Sequence, residues 1–243
     1  MTASRPLISV ITVVYNGAAT LEATLRSVLE RKASFCEMVV IDGGSTDGTL
    51  QILDQYRDCL AVCISESDRG VYDAMNKAVS MATGRWIYFL GSDDTLRQCL
   101  DEVATYLKDD RTIYYGDVFR TGSQTYYGGP FGAWKLLRKN ICHQAIFYPR
   151  AAFDEHRFEL RYPVLADWEF NLRCFADRRF HFEHIPLIIA NYNDATGLSS
   201  MRNDPNFAFD QNMIVRECLP FACYLWHRSK RLLHLAVDPL IKK

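Results

Sequence analysis

The sequence predicts an α/β fold built on a mainly parallel sheet, and three observations carry that prediction. Apolar, β-branched segments alternate with helix-period segments four times within the first ~95 residues, the pattern of successive βαβ units. The strand segments are near-continuous apolar runs, as expected of strands buried on both faces. Each strand ends at or just before a polar or acidic group: Asn16, Asp42, Asp68 and the pair Asp93-Asp94. In a parallel sheet those ends converge on one edge.

Taken in order, Leu7–Val14 is a buried strand that stops at the turn Tyr15-Asn16-Gly17. Leu21, Leu25, Val28 and Leu29 then recur at helical spacing, with Thr20 placed to cap. Met38–Ile41 is a short strand, followed by the loop Asp42–Thr49 and a helix from Thr49 to Tyr56. Leu60–Ile64 is a third strand and Ser65–Gly70 a third polar loop. A helix from Val71 to Thr83 carries Tyr72, Met75, Val79 and Ala82 on one stripe, and Gly84 is placed to close it. Trp86–Leu90 is the fourth strand, ending in Gly91-Ser92-Asp93-Asp94.

Beyond residue 95 the alternation loosens. A helix is expected over Leu96–Leu107, then a strand over Thr112–Val118. The Gly-, Tyr- and Thr-rich stretch 121–133 is a hairpin or a mobile loop. Cys142–Tyr148 is a strand, Asp167–Arg178 a helix with Trp168, Leu172 and Phe175 on its apolar side, and His184–Asn191 a strand. No internal repeat or low-complexity segment interrupts the chain.

The 243 residues are 49% hydrophobic and carry a net charge of -1, which describes a globular chain with a sizeable core. That balance gives no case for nucleic-acid binding. Neither a secretory signal nor an apolar run of transmembrane length is visible, so a cytoplasmic protein with reduced thiols is expected. The eight cysteines form no Cys-x-x-Cys pair and no zinc-type cluster with histidine.

Adjacent carboxylates at a strand end repel each other. A hard divalent cation, Mg²⁺ or Mn²⁺, would relieve that repulsion and bridge phosphates; the alternative is that one of the pair caps a helix starting near Thr95. Dinucleotide, P-loop, zinc-protease and esterase motifs are missing. What remains is a carboxylate-lined sheet edge, suited to a metal-bound diphosphate with further acids accepting from a base or ribose.

These residues carry a resemblance. Ile8–Thr12 with Tyr15-Asn16, Val40–Thr49, Ser67–Lys77 and Gly84–Asp94 closely resemble the family 2 glycosyltransferases. These have the GT-A fold and use nucleotide-activated sugars. The match resumes at Cys142-His143-Gln144, Ala166–Phe170 and Gly197-Leu198-Ser199. The Gly70–Lys77 version is similar to that of bacterial enzymes building colanic acid, capsule or O-antigen. The resemblance implies a GT-A domain over 1–215, with a nucleotide-sugar half at 6–96 and an acceptor half at 97–215 of mixed structure. It implies an inverting hexosyl- or hexosaminyltransferase, with a nucleotide-sugar donor (UDP-sugar favoured) and a glycan or polyprenyl-linked acceptor.

Position by position, the resemblance puts Thr12, Tyr15 and Asn16 in the nucleotide pocket. Asp42 would accept from the base, Asp68 would face the nucleotide and Arg69 would screen the diphosphate. Ser92-Asp93-Asp94 corresponds to the Asp-x-Asp motif with its first acid replaced, leaving Asp93 for ribose or metal and Asp94 as main metal ligand. Asp167 matches the general base, although the usual preceding Glu is Ala166; a helix cap is the alternative for Asp167. His143 is a candidate contact to phosphate or acceptor, or a structural histidine. Trp168 is a candidate sugar platform, or a core residue.

Residues 216–243 differ in character. Six basic residues face Glu217 and Asp238, a local balance of +4, with Phe, Tyr, Trp and Leu interleaved. Such a helix suits an anionic membrane surface, here the inner face of the cell membrane, or packs on the domain or on a partner. Two other functions stay open: a nucleotidyltransferase, which lacks here the Gly-rich basic loop after the first strand, and a sugar-nucleotide-binding or scaffold protein of a polysaccharide assembly.

Overall fold

The computed structural model describes residues 5–31, 33–195 and 203–230. Their strands form one nine-stranded sheet. The first half follows the alternation read from the sequence: β1 (Ile8–Val14), α1 (Leu21–Leu29), β2 (Cys36–Asp42), α2 (Thr49–Tyr56), β3 (Val62–Ser65), α3 (Val71–Met81) and β4 (Trp86–Phe89). β1 lies between β2 and β4, parallel to both, and β2 pairs with β3 in parallel. The polar strand ends therefore do meet at one edge.

The second half is mixed. It comprises β5 (Thr95–Leu96), α4 (Leu100–Tyr106), β6 (Thr112–Arg120), β7 (Thr125–Tyr127), α5 (Ala133–Leu136), β8 (Ile146–Pro149), α6 (Ala151–Glu155), α7 (Ala166–Ala176), β9 (His181–Tyr192) and α8 (Pro205–Cys218). The sheet order is β3-β2-β1-β4-β8-β6-β9-β5, with β7 on β6. β8 runs antiparallel to both β4 and β6, while β6 and β9 are parallel.

Period-two alternation splits each central strand between two cores. Ile11, Val39, Ile87 and Phe89 face α3, α6, α7 and α8, whereas Ile8, Val10, Val40 and Tyr88 face α1, α2 and α4. At Gly116, an added Cβ would lie 2.5 Å from the Leu187 carbonyl oxygen, so only glycine lets β9 approach β6 at the register shift there.

Several expectations are corrected. The helix expected from Leu96 starts at Leu100, because Thr95 and Leu96 pair with Asn191 and Ala190 of β9. Leu90 lies just past β4. Gly84 does not close α3: the helix ends at Met81 with Ala82 already extended. Gly84 instead lets the chain pass against β1, where a Cβ would sit 2.5 Å from the Ser9 nitrogen. Cys142–Tyr148 is only half strand, since His143–Ala145 form a 3-10 turn before β8. Thr20 occupies the cap position of α1 without a side-chain hydrogen bond. The stretch 121–133 contains the expected hairpin, β6–β7. α8 runs through the boundary expected at 215, a second helix covers 221–230, and residues 231–243 lie outside the described residues. All eight cysteines are free thiols, four of them buried.

Candidate active site

A cavity of about 790 Å³ opens at the C-terminal edge of β1 and β4. One wall comes from the turn after β1, where Tyr15, Asn16, Gly17 and Thr20 line it. Asn16 holds the turn in the left-handed region, with φ 52°, a conformation asparagine tolerates better than most residues. Its side-chain oxygen accepts from the Thr46 N–H at 2.9 Å, and its own N–H donates to the Ser45 hydroxyl at 2.7 Å. Gly17 and Ala18 N–H groups donate to Thr49 and Asp47. The loops after β1 and β2 are thereby fastened together.

Asp42 is the centre of that fastening. It is fully buried and accepts from the N–H groups of Gly44 and Ser45 and from the hydroxyls of Ser45 and Ser65. Its carboxylate organises the loop, and Asp42 is not among the residues lining the cavity. Thr12 is also fully buried, its hydroxyl donating to the Leu90 carbonyl, so it ties β1 to the end of β4 rather than lining the pocket. Asp68 and the Tyr15 ring flank Gly43, where a Cβ would meet the Asp68 carboxylate at 2.6 Å. Arg69 points outward: its N–H and guanidinium both bind Asp73, and the side chain is mostly exposed.

The acidic pair divides by environment. Asp93 lines the cavity and accepts weakly from the Asn193 amide at 3.3 Å. Asp94 is buried behind it. One Asp94 oxygen accepts from Gln144 and the other from the Asn193 N–H, both at 2.7 Å. In the structure it is Asp93, not Asp94, that reaches the cavity. Burial raises both carboxyls, Asp94 to about 7, with the neighbouring Asp93 charge adding to the effect. Neither caps a helix at Thr95, where β5 begins. The described residues contain no group of three or more His, Cys, Asp or Glu able to hold a metal. Asp93 with Asp94 behind it supplies hard carboxylate oxygens, the donor type a divalent cation such as Mg²⁺ or Mn²⁺ takes.

Opposite lie Asp167, Asn140, Cys142, His143 and Tyr72. Asp167 sits in the first turn of α7, one residue inside the helix, and Leu165 holds the cap position. Its carboxylate bonds the Tyr72 hydroxyl at 2.9 Å and the Asn140 amide at 2.7 Å. Asn140 is oriented in turn by Asn171, one turn along α7, and Asn171 by the Tyr148 hydroxyl. Burial, partly opposed by these hydrogen bonds, lifts the Asp167 carboxyl to about 6. His143 stands 3.9 Å from Asp167 with both ring nitrogens buried and unbonded, packed on Phe89 and Phe158. Burial lowers it to about 4, so it is neutral at pH 7. Trp168 donates its indole N–H to the Leu136 carbonyl and stacks on Phe207; its ring is a packing element at the cavity's edge.

Asn140, Gln144, Asn193, Arg120 and Tyr127 were not singled out from the sequence. Gln144 stood within a recognised motif; the others reach the site through strand pairing and loop closure. Gly197-Leu198-Ser199 lies outside the described residues.

Comparison with known proteins gives the family. The model for glycosyl transferase family 2 matches residues 9–164. A Mycobacterium bovis protein named as a PGL/p-HBAD biosynthesis glycosyltransferase is 40% identical over 213 residues, 84% of this chain and 83% of its own. The putative teichuronic acid biosynthesis glycosyltransferase TuaG of Bacillus subtilis is 43% identical over 97 residues, 39% of this chain and 38% of its own. The fold is shared with Staphylococcus aureus TarS 1-349 in complex with UDP-GlcNAc, at TM-score 0.69 and 21% identity, over 89% of this chain and 69% of that one. It is shared also with a Pyrobaculum calidifontis mannosyltransferase in complex with GDP-Man and Mn²⁺, at TM-score 0.64 and 16% identity, over 95% and 81%. This chain belongs to glycosyl transferase family 2 and is a glycosyltransferase.

Proposed function

We propose that this glycosyltransferase moves a sugar, with inversion, from a UDP-sugar to a hydroxyl of a glycan or lipid-linked acceptor in bacterial surface polysaccharide synthesis. The observation that carries the reading is Asp167: a buried carboxylate on a cavity wall, aimed by two side chains, and raised to about 6. A base with that value is mostly ionised at pH 7 and still able to take a proton as the acceptor oxygen attacks. In this reading the acceptor hydroxyl approaches from the Asp167 side and the donor's diphosphate leaves toward Asp93, on the other face of the anomeric carbon. Neutral His143 and the aromatic rings around it keep that wall dry. Asp93, with Asp94 behind it, would hold Mn²⁺ or Mg²⁺, which would supply positive charge beside the leaving diphosphate.

The relatives' names support a cell-surface glycan, and the TarS complex supports a UDP donor. For a lipid-linked acceptor the supporting surface is at the C-terminal end. Phe209 and Met213 on α8, Phe221 and Leu225 on the next helix, and Trp134 are all exposed apolar side chains, with Arg216, Arg228 and Lys230 nearby in sequence. That combination suits a peripheral contact with anionic lipid, at the inner face of the membrane. No helix among the described residues is long and apolar enough to cross a membrane.

Thermal unfolding with UDP-, GDP- and dTDP-sugars, with and without Mn²⁺, tests the donor site. A ligand at ~100 times its Kd stabilises by ~2.7 kcal/mol. A Mn²⁺-dependent shift with UDP-sugars, lost in Asp93→Asn, is expected. A folded protein that shifts with no nucleotide would overturn the reading.

A further inference from the structure

Arg120, the last residue of β6, lines the same cavity as Asp93 and Asp167. Its guanidinium lies 4.1 Å from the centroid of the Tyr127 ring. Its Nε is buried and has no hydrogen-bond partner, and it forms no ion pair with any described carboxylate. Other part-buried arginines of this fold are satisfied. Arg150 donates to the carbonyls of Val79, Ala82 and Gly84, and Arg173 pairs with Glu169. A guanidinium carries five donors and stays charged, so burying its Nε without a partner is costly.

Its position assigns a direction. The Tyr127 ring supports the guanidinium on one side, and the Tyr127 hydroxyl donates to the Asn140 carbonyl. The Asn140 amide in turn holds Asp167. Arg120 is therefore built into the wall that carries the base, lining the cavity with its Nε left without a partner. We infer that Arg120 is the oxyanion-binding residue of this cavity, its planar fork receiving a phosphate or carboxylate group of a bound substrate. Two sources offer that chemistry: the diphosphate of the donor, and an acidic group on the acceptor or the transferred sugar. The inference rests on the donor-site reading only for which of these substrates brings the oxyanion.

Titration calorimetry on the whole protein tests it, with Arg120→Gln and Arg120→Lys beside the wild type. The probes are uridine, UDP and inorganic pyrophosphate, then inorganic phosphate and glucuronate added to UDP-saturated protein. Arg120→Gln is expected to weaken at least one anionic probe by about tenfold or more and to leave uridine unchanged. Arg120→Lys keeps the charge but loses the fork, so it recovers only part of that loss; it also serves if the glutamine variant does not fold. A loss confined to UDP and pyrophosphate identifies the donor diphosphate. A loss confined to phosphate or glucuronate on the UDP complex identifies an acidic acceptor or sugar. Wild-type affinity of both variants for every anion, or no anion binding by the wild type, would overturn the inference. A wild type that binds pyrophosphate through Arg120 but no nucleotide would sink the donor reading and leave this one standing.

Discussion

Removing the side chain of Asn140 should shift the pH dependence of turnover without touching the base itself. Asn140 gives Asp167 a hydrogen bond of 2.7 Å from a donor with no other described acceptor. Its orientation is fixed by Asn171, which donates to the other end of the same amide. The Tyr72 hydroxyl also reaches Asp167, at 2.9 Å, but stands 2.8 Å from the Val164 carbonyl. Both donors favour the ionised carboxylate, the Tyr72 hydroxyl as well as the Asn140 amide. A hydrogen bond to a charged group contributes ~1.5–3 kcal/mol, and 1.36 kcal/mol is one pKa unit. Asn140→Ala should therefore raise Asp167 from about 6 by roughly 1–2 units. The active form is the ionised one, so activity falls as pH drops through the pKa, and raising the pKa moves that acidic limb upward. At pH 7 the ionised fraction falls from about 0.9 to roughly 0.5–0.1, a loss of about 2- to 10-fold that disappears near pH 9. Tyr72→Phe should move the limb in the same direction. The assay is kcat/KM against pH for the wild type and both variants. Superimposable profiles would refute both the base assignment and the role of Asn140.

Other outcomes follow from the same geometry. Asp167→Asn keeps shape and removes the base; kcat should fall by ~10²–10⁴ with nucleotide affinity, read by calorimetry, little changed. Asp94 is raised from 3.8 to about 7 in the fold, so between those values the folded state holds a proton that the unfolded state has lost. Metal-free protein should thus lose stability as pH rises from ~4 to ~7 and level off above; denaturant unfolding of Asp94→Asn should lack this contribution. Gly84→Ala would drive a Cβ to 2.5 Å from the Ser9 nitrogen, a backbone atom that cannot swing away. Overpacking of that kind costs ~1–3 kcal/mol or more, visible as a lower Tm with the active-site chemistry intact.

The first half of the fold was legible because its information is local. Continuous apolar strands, helical stripes and polar strand ends fix β1 to β4 and their common edge in any parallel sheet. The recognised motifs fix the family and put Asp93, Asp167 and His143 at one cavity. The second half was less legible because its strands are defined by partners far along the chain. Thr95 and Leu96 look like the start of a helix until β9 arrives to pair with them.

Sequence alone could name Asp42, Asp93, Asp94 and Asp167 as candidate acids, but not separate their duties. That separation is a matter of burial and hydrogen-bond supply, which only the tertiary structure decides. Asp42 is consumed by three donors of its own loop and by the Ser65 hydroxyl. Asp94 is turned inward by Gln144 and Asn193, leaving Asp93 to face the cavity. Asp167 owes its position to Tyr72 and Asn140, 95 and 27 residues away, and its raised pKa to burial, which those two hydrogen bonds partly oppose. Arg120 carried no local signal at all: an arginine at a strand end becomes a binding group only when folding buries it beside Tyr127 and gives it no partner. Residue type and order set the available chemistry; desolvation and long-range contacts assign which acid takes up a proton, which holds a loop and which meets the substrate.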